Sequence, residues 1–419
     1  MTQPLPADDD TEAVLEGFPR PADPERLAAR ETLEVLMTRF TEETRRGLQP
    51  SIDEYARRHP ECAEEIRRLF PLLGTLELWS AHKEVECVAD NFPVDFRERC
   101  LGDYRLLREI GRGGMGVVFE ALHVESNHRV AIKVLPLRNI SDFPRRQDQL
   151  RREAATLAQL RHRNIVPVYS FGEQEGYCFY VMQFVEGVNL GWLIQRLRDR
   201  PDAVRLDEIR RASAGEHADE SPADGGSQKF LARDSWNGFA KIAVQVALAL
   251  AHAHERRVLH NDIKPGNLLL TTEGRVVVTD FGVNLPPDPL RPDQPASALG
   301  TLRYMAPERL AGGGDARSDL YSLGATLYEL VSQTPLYAAA DRRELIRLVQ
   351  QASPRPLAEL TPDIPADLAA IIHRALAKDP AQRYPSAGAL LTDLARLLHG
   401  EGLEGAWPGW LRRWFTRRR

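Results

Sequence analysis

The stretch His260-Asn261-Asp262-Ile263-Lys264-Pro265-Gly266-Asn267 is the one from which the chain is best read. Upstream of it, an apolar, Ala-rich run from Ile242 to His254 has the character of a buried helix. Downstream, Leu268-Leu269-Leu270 and Val276-Val277-Val278, separated by Glu273-Gly274, read as a β-hairpin. An acid, a lysine and an asparagine therefore stand at fixed offsets on a loop between rigid elements. Phosphoryl transfer needs this set: a carboxylate to orient a hydroxyl, a cation for the moving phosphate and an amide oxygen for a metal. One Asp-x-Lys loop alone is a weak signal, so the flanking chain decides.

From Asp103 the pattern is one of short β-rich runs. Tyr104 to Ile110 leads into Gly111-Arg112-Gly113-Gly114-Met115-Gly116, followed by Val117-Val118-Phe119-Glu120-Ala121. Glycines at these offsets let backbone amides approach phosphates, because no Cβ intervenes. A bare glycine-rich hairpin turn is the competing reading. A strand follows rather than a helix, which excludes a dinucleotide fingerprint, and no Gly-Lys-Ser/Thr ending makes it a P-loop. Next comes Val130-Ala131-Ile132-Lys133, a strand with one lysine among apolar residues. A buried lysine is costly unless paired. Glu153, in the helical run Arg151 to Leu160 with Ala154, Leu157 and Leu160 on its apolar face, is the expected partner. The competing reading is two snorkelling surface charges. Ile165 to Tyr169 and Tyr177 to Met182 read as two further strands, and Leu190 to Leu197 as a helix. Residues 198–235 are charged and rich in Ala, Ser, Gly and Pro, and are expected to be a disordered insertion.

With these residues in place, the chain resembles a bacterial eukaryotic-like (Hanks-type) serine/threonine protein kinase over about residues 104–398. The motifs are independent and in order: the glycine-rich loop, Val130-Ala131-Ile132-Lys133, helix-borne Glu153, the loop His260 to Asn267, Asp280-Phe281-Gly282 and Ala306-Pro307-Glu308. Asp319 matches the acid the family carries on a later helix. Arg383 matches an arginine expected to pair with Glu308. The resemblance implies an α+β, two-lobed protein-kinase-like fold, with a β-rich lobe at about 104–186 and a helical lobe at about 187–398.

It also implies roles. ATP and Mg²⁺ are the expected cofactors, and protein serine and threonine hydroxyls the expected acceptors. Asp262 would orient the hydroxyl, Lys264 would steady the γ-phosphate, and Thr301 would bond both. Asn267 and Asp280 would hold the metal, since hard cations take oxygen ligands. The nucleotide would meet Ile110, Gly111, Arg112, Gly113, Gly114, Met115, Gly116, Val117, Val118 and Ala131. Lys133, paired with Glu153, would reach its phosphates. Met182 matches the gatekeeper and Val185 the hinge residue whose backbone meets adenine. Leu157, Val168, His260 and Phe281 match a hydrophobic spine between the lobes, a reading compatible with ordinary core.

One position departs from the pattern. Asn261 stands where the family usually has the arginine that receives an activation-loop phosphate. The loop from Val283 to Thr301 is proline-rich and offers only Ser297 and Thr301 as hydroxyls. Catalysis is therefore expected not to require phosphorylation of this loop. The alternative from another class is a nucleotide-binding pseudokinase scaffold that recruits partners.

Outside this region, residues 1–24 are acidic and Pro-rich and read as disordered, with no signal-peptide character. Residues 25–90 read as a small helical module. Leu33, Leu36, Met37 and Phe40 share one face, Ser51-Ile52-Asp53-Glu54 has the form of a capping box, and Cys62, Ile66, Leu69 and Phe70 make a third stripe. Residues 91–103 read as a linker. In the tail, residues 399–419, Trp407, Trp410, Leu411 and Trp414 lie at helical spacing among arginines. A membrane-surface anchor and a tail packed on the kinase or a partner are the two readings.

The whole chain is consistent with this division. Its 419 residues exceed the ~100–200 of one typical domain. A net charge of −5 argues against nucleic acid as a partner. The 4 cysteines show no zinc or disulfide spacing and fit reduced thiols in a cytoplasmic protein.

Overall fold

Strict alternation along neighbouring strands builds the first sheet. In β4 (Arg129–Pro136), Val130, Ile132 and Val134 pack into one cluster while Ala131 and Leu135 pack into another. In β6 (Tyr177–Gln183), Tyr177, Phe179 and Val181 join the first cluster, and Cys178, Tyr180 and Met182 join the second. A period of two sends successive side chains to opposite faces, so Lys133 projects from the face of Ala131 and Leu135. With β1 (Cys100–Leu101), β2 (Tyr104–Gly113), β3 (Gly116–His123) and β5 (Val168–Gln174), these strands form a six-stranded antiparallel sheet in the order β1-β2-β3-β4-β6-β5. Helical residues 150–152 and 154–157 cover its second face through Leu150 and Ala154, and the Tyr180 hydroxyl donates to the Leu150 carbonyl at 3.3 Å. The computed structural model describes residues 36, 39–40, 51–64, 66–67, 99–113, 116–136, 150–152, 154–174, 177–200, 202–215, 229–281, 300–339 and 341–402.

The fifth strand begins later than Ile165-to-Tyr169 periodicity suggests. Pro167 has no N–H to give a ladder. Ile165 makes only a parallel bridge to Val278, and the Val166 amide donates to the Val278 carbonyl at 3.0 Å. These residues join the first lobe to the second.

The second lobe is helical around one large apolar core. The 20-residue helix α4 (Trp236–Glu255) runs through it, fully burying Phe239, Ala243, Val246, Ala247 and Leu250. Beside it stand α5 (Ala316–Ser332), α8 (Ala366–Ala375) and α9 (Ala387–Leu398), with α6 (Arg342–Gln351) and the short α7 (Leu357–Leu360) at the edge. The expected hairpin is present as β10 (Leu268–Thr271) and β11 (Val276–Val278), paired Leu268 to Val278 and Leu270 to Val276. A third strand, β7 (Gly187–Asn189), pairs with β10. Gly187 is required there, since a Cβ would lie 2.4 Å from the Leu270 carbonyl oxygen. Residues 184–186 are thus a hinge between the six-stranded sheet and the helical lobe, leading through β7 into α2 (Leu190–Asp199).

The stretch 198–235 corrects the expectation of disorder where it is described. Residues 202–215 form β8 (Val204–Arg205) and α3 (Leu206–Ala214), and β9 (Lys229–Leu231) pairs with β8. Three apolar residues suffice: Val204, Ile209 and Leu231 are 0%, 0% and 6% exposed in the main core. Arg196 of α2 grips Glu208 at 2.5 and 3.1 Å, and the Arg205 amide donates to Glu208.

Backbone contacts divide the chain into two units, residues 1–77 and 78–419. In the first, α1 (Ile52–Arg58) is capped by Ser51, whose hydroxyl accepts the Glu54 amide at 3.4 Å. Leu36, Phe40, Tyr55, Ala56, Cys62 and Ile66 form its apolar cluster. Leu33, Met37, Leu69 and Phe70, residues 1–24 and the tail tryptophans Trp407, Trp410 and Trp414 lie outside the described residues. Among the described residues no helix is long and apolar enough to cross a membrane.

Candidate active site

The loop 260–267 is organised from below by one buried carboxylate. Asp319, 1% exposed on α5, accepts the backbone amides of His260 at 2.9 Å and Asn261 at 2.8 Å, and bonds His254 Nε2 at 2.8 Å. Burial alone would raise its pKa, but the His254 contact and the nearby histidines hold it below the ordinary carboxylate range. The pull of Asp319 bends the loop: Asn261 takes φ +69°, an uncommon conformation for a side chain other than glycine. His260 is fully buried, and burial depresses its pKa despite nearby Asp319 and Asp262. Its Nε2 meets the Thr279 carbonyl at 2.8 Å, which can only accept, so Nε2 carries the proton. Nδ1 is then free to accept the Asp262 amide at 3.2 Å. The neutral ring is thereby fixed in one tautomer and orients the backbone at Asp262.

Above this support the polar residues converge. Asn267 donates through Nδ2 to the Asp262 carbonyl at 2.8 Å and to Asp262 Oδ2 at 2.9 Å. Lys264 Nζ lies 2.8 Å from Asp262 Oδ2 and donates to Thr301 Oγ1 at 2.9 Å. From the other lobe, Lys133 donates to Asp280 Oδ1 at 2.8 Å. Asp280 takes φ +60°. Burial pushes its pKa up, yet the Lys133 ammonium overrides this and keeps it lowered. Phe281, next in sequence, packs its ring 4.4 Å from that of His260. Leu157 and Phe281 share one core cluster with Val168 packed against it, and all three line one cavity with Lys133, Met182 and Asp280. The two groups, around Asp262 and around Asp280, are neighbours: the Lys264 charge also acts on Asp280, and the Thr279 amide, one residue before Asp280, donates to the Asn267 carbonyl at 2.9 Å.

A family model for the protein kinase domain matches residues 104–393. The chain belongs to the protein kinase family. Its relatives are bacterial serine/threonine kinases of the Hanks type. Serine/threonine-protein kinase PknJ of Mycobacterium tuberculosis is 34% identical over 315 residues, covering 74% of this chain and 47% of that protein. Serine/threonine-protein kinase PrkC of Bacillus subtilis is 31% identical over 300 residues, covering 71% and 41%. The crystal structure of the Mycobacterium tuberculosis PknI kinase domain superposes with a TM-score of 0.51 at 26% identity, covering 74% of this chain and all of that one. The chain spans less than half the length of these curated relatives.

In this member of the family Ala131 and Met182 belong to one apolar cluster, with Val118 and Val185 packed against it. Val117 does not join them. It is fully buried in the cluster on the opposite face of the sheet, as alternation from Val118 demands. Of the glycine-rich loop, Ile110 is exposed, Gly111 and Arg112 continue β2, and Arg112 binds Glu109 at 2.7 Å. Gly113 pairs with Gly116. A Cβ at Gly116 would lie 2.2 Å from the Val134 carbonyl oxygen, so the strand can return only through glycine. Gly114, Met115 and Glu153 lie outside the described residues; the described partner of Lys133 is Asp280.

Several contributors escape the motif pattern. Leu269 pairs with Val277, which lies in the cluster of Ala131 and Met182, and alternates with the core residues Leu268 and Leu270. That alternation was the available signal. Arg309 donates to the Asn261 side chain, a contact with no spacing rule to announce it. The insertion helix carries readable signals: acids Asp207 and Glu208 in its first turn and Gly215 at its end, φ +84°.

Proposed function

We propose that this chain transfers the γ-phosphoryl group of ATP to serine or threonine hydroxyls of proteins, with Mg²⁺, and that residues 104–398 are the catalytic unit. The observation that carries this is the convergence on Asp262: Lys264 at 2.8 Å, Asn267 at 2.9 Å, with Lys133 and Asp280 paired across the cleft. Asp262 would accept or orient the proton of the acceptor hydroxyl, held by Asn267 and by the His260 ring beneath it. Lys264, anchored by Thr301, would offer its ammonium to the transferred phosphoryl group. Lys133 would bind the nucleotide phosphates.

The donor set suits a hard cation. Asn267 commits its amide nitrogen to Asp262, leaving the carbonyl oxygen as the free ligand, and Asp280 is held ionised beside it. Asn267 and Asp280 would hold Mg²⁺, which neutralises phosphate charge when bound. All the described positions of the expected transfer chemistry keep functional side chains, so nothing favours the scaffold alternative.

Independence from loop phosphorylation has its own support. Asn261 engages the buried guanidinium of Arg309, three residues beyond Ala306. A neutral amide and an arginine from the end of the activation segment meet where the family pairs an arginine with phosphate. The segment is thereby tied to the catalytic loop without modification. The test is transfer from labelled ATP to a protein acceptor by the full chain and by Ser297→Ala. Phosphoserine or phosphothreonine is expected from both, at rates within about twofold, since no phosphate partner is lost. Loss of transfer in a folded Ser297→Ala protein contradicts the proposal. Residues 25–90 as a separate module, a cytoplasmic location and a membrane-surface role for the tail are part of the same reading, supported by composition and periodicity.

A further inference from the structure

The insertion helix α3 does more than fill a surface. Its last turn closes a ring of polar contacts around the hinge. The Gly187 amide donates to the Ser213 hydroxyl at 2.9 Å. The Ser213 carbonyl accepts from Arg108 of β2 at 3.1 Å. Arg108 binds Glu120 at 2.8 Å, and Glu120 binds Arg129 at 2.7 Å. Arg129 returns to the hinge, 2.8 Å from Glu186 and 4.5 Å over the Phe184 ring. Glu186 precedes Gly187, so the circuit closes through a peptide bond.

The members differ in strength. Glu186 is 70% exposed, and its ion pair contributes little. Glu120 is only 7% exposed, and its two arginines are both needed to satisfy it. Arg108 meets the carbonyl end of α3, where the helix carries partial negative charge. The base of the helix is fixed to the helical lobe by Ile209 and by Arg196–Glu208. An element rooted in one lobe therefore holds both the hinge backbone and a strand of the other lobe.

We propose that α3 is a hinge brace, with Ser213 and Arg108 as positioning residues that limit lobe opening and so set the affinity for nucleotide. This deepens the nucleotide reading of the cleft and rests on it. If open forms are excluded, a larger fraction of molecules is ready to bind, and apparent affinity rises with that fraction.

Hydrogen exchange of hinge amides 184–188 in the nucleotide-free full chain is measured together with KM for ATP and kcat. Ser213→Ala removes one hydrogen bond and is expected to speed hinge exchange and raise KM about three- to tenfold, with kcat within about twofold. Ser213→Thr keeps the hydroxyl and restores both. Arg108→Met, which cuts the circuit elsewhere, reproduces the alanine effect. Unchanged exchange in Ser213→Ala overturns the brace, as does faster exchange with unchanged KM. If the wild type transfers no phosphate, the kinase reading fails instead. Calorimetric ATP binding then replaces KM, and the same comparison still decides the brace.

Discussion

At the scale of single residues, burial sets charge states that composition does not reveal. His373 is 2% exposed on α8, and its Nε2 accepts the Leu357 amide at 3.1 Å. Burial drives its pKa from 6.5 down to about 4. The unfolded chain therefore takes up this proton below pH 6.5, and the folded chain does so only near pH 4. Stability from neutral His373 is fully present above pH 6.5 and drains away as pH falls toward 4. The full loss is about 3 kcal/mol, at ~1.4 kcal/mol per unit. Glu308, Asp280 and Asp319, all held below the ordinary carboxylate range, act in the same direction at lower pH. His373→Gln keeps an acceptor and removes the titration. Urea unfolding at pH 7 and pH 5 should show a smaller difference for this variant than for wild type. Equal differences would remove His373 from the explanation.

At the scale of elements, the anchor of the activation segment is the clearest case. Arg383, whose side chain is wholly buried, sends Nη1 and Nη2 to the two Glu308 oxygens, both at 2.7 Å. Its remaining N–H groups reach the carbonyls of Ala377, Arg317 and Lys378. All five donors of the guanidinium are used. Removing the charge from Glu308 leaves that cation buried and uncompensated, so Glu308→Gln should lose about 3–5 kcal/mol. A urea midpoint equal to wild type would show that the pair contributes nothing. This pair was legible beforehand, because Ala306-Pro307-Glu308 and Arg383 stand in a known order. The strands were legible too, since Val130, Ile132 and Val134 alternate with Ala131, Lys133 and Leu135. Alternation also carried the face of Val117, which matching to a motif overrode. Other features had no local pattern to read. Ile165 and Val166 look like a strand but bond instead to Val278, because Pro167 breaks the ladder. The described part of the insertion has local helix signals, but its polarity hid the tertiary contacts of Val204, Ile209 and Leu231 and the Arg196–Glu208 pair that hold it. Asn261 and Arg309 meet because Asp319 and the segment anchor bring two distant loops together.

At the scale of the molecule, the two lobes act through what joins them. Leu157, Val168, Phe281 and His260 link the helix beside the sheet to the catalytic loop, and Lys133–Asp280 spans the cleft in front of them. The hinge behind is ringed by Ser213, Arg108, Glu120 and Arg129. Under the proposed function, nucleotide positioning would draw on both lobes, whereas the proton of the acceptor hydroxyl would be handled at Asp262. The most direct measurement separates these in Asp262→Asn, comparing ATP affinity by calorimetry with transfer rate to a protein acceptor. Affinity should stay within about threefold of wild type, because Lys133, Asp280 and the apolar cluster are untouched, while the rate falls about 10²–10⁴-fold. A variant that transfers phosphate as fast as wild type would contradict the assignment of Asp262 and the function built on it.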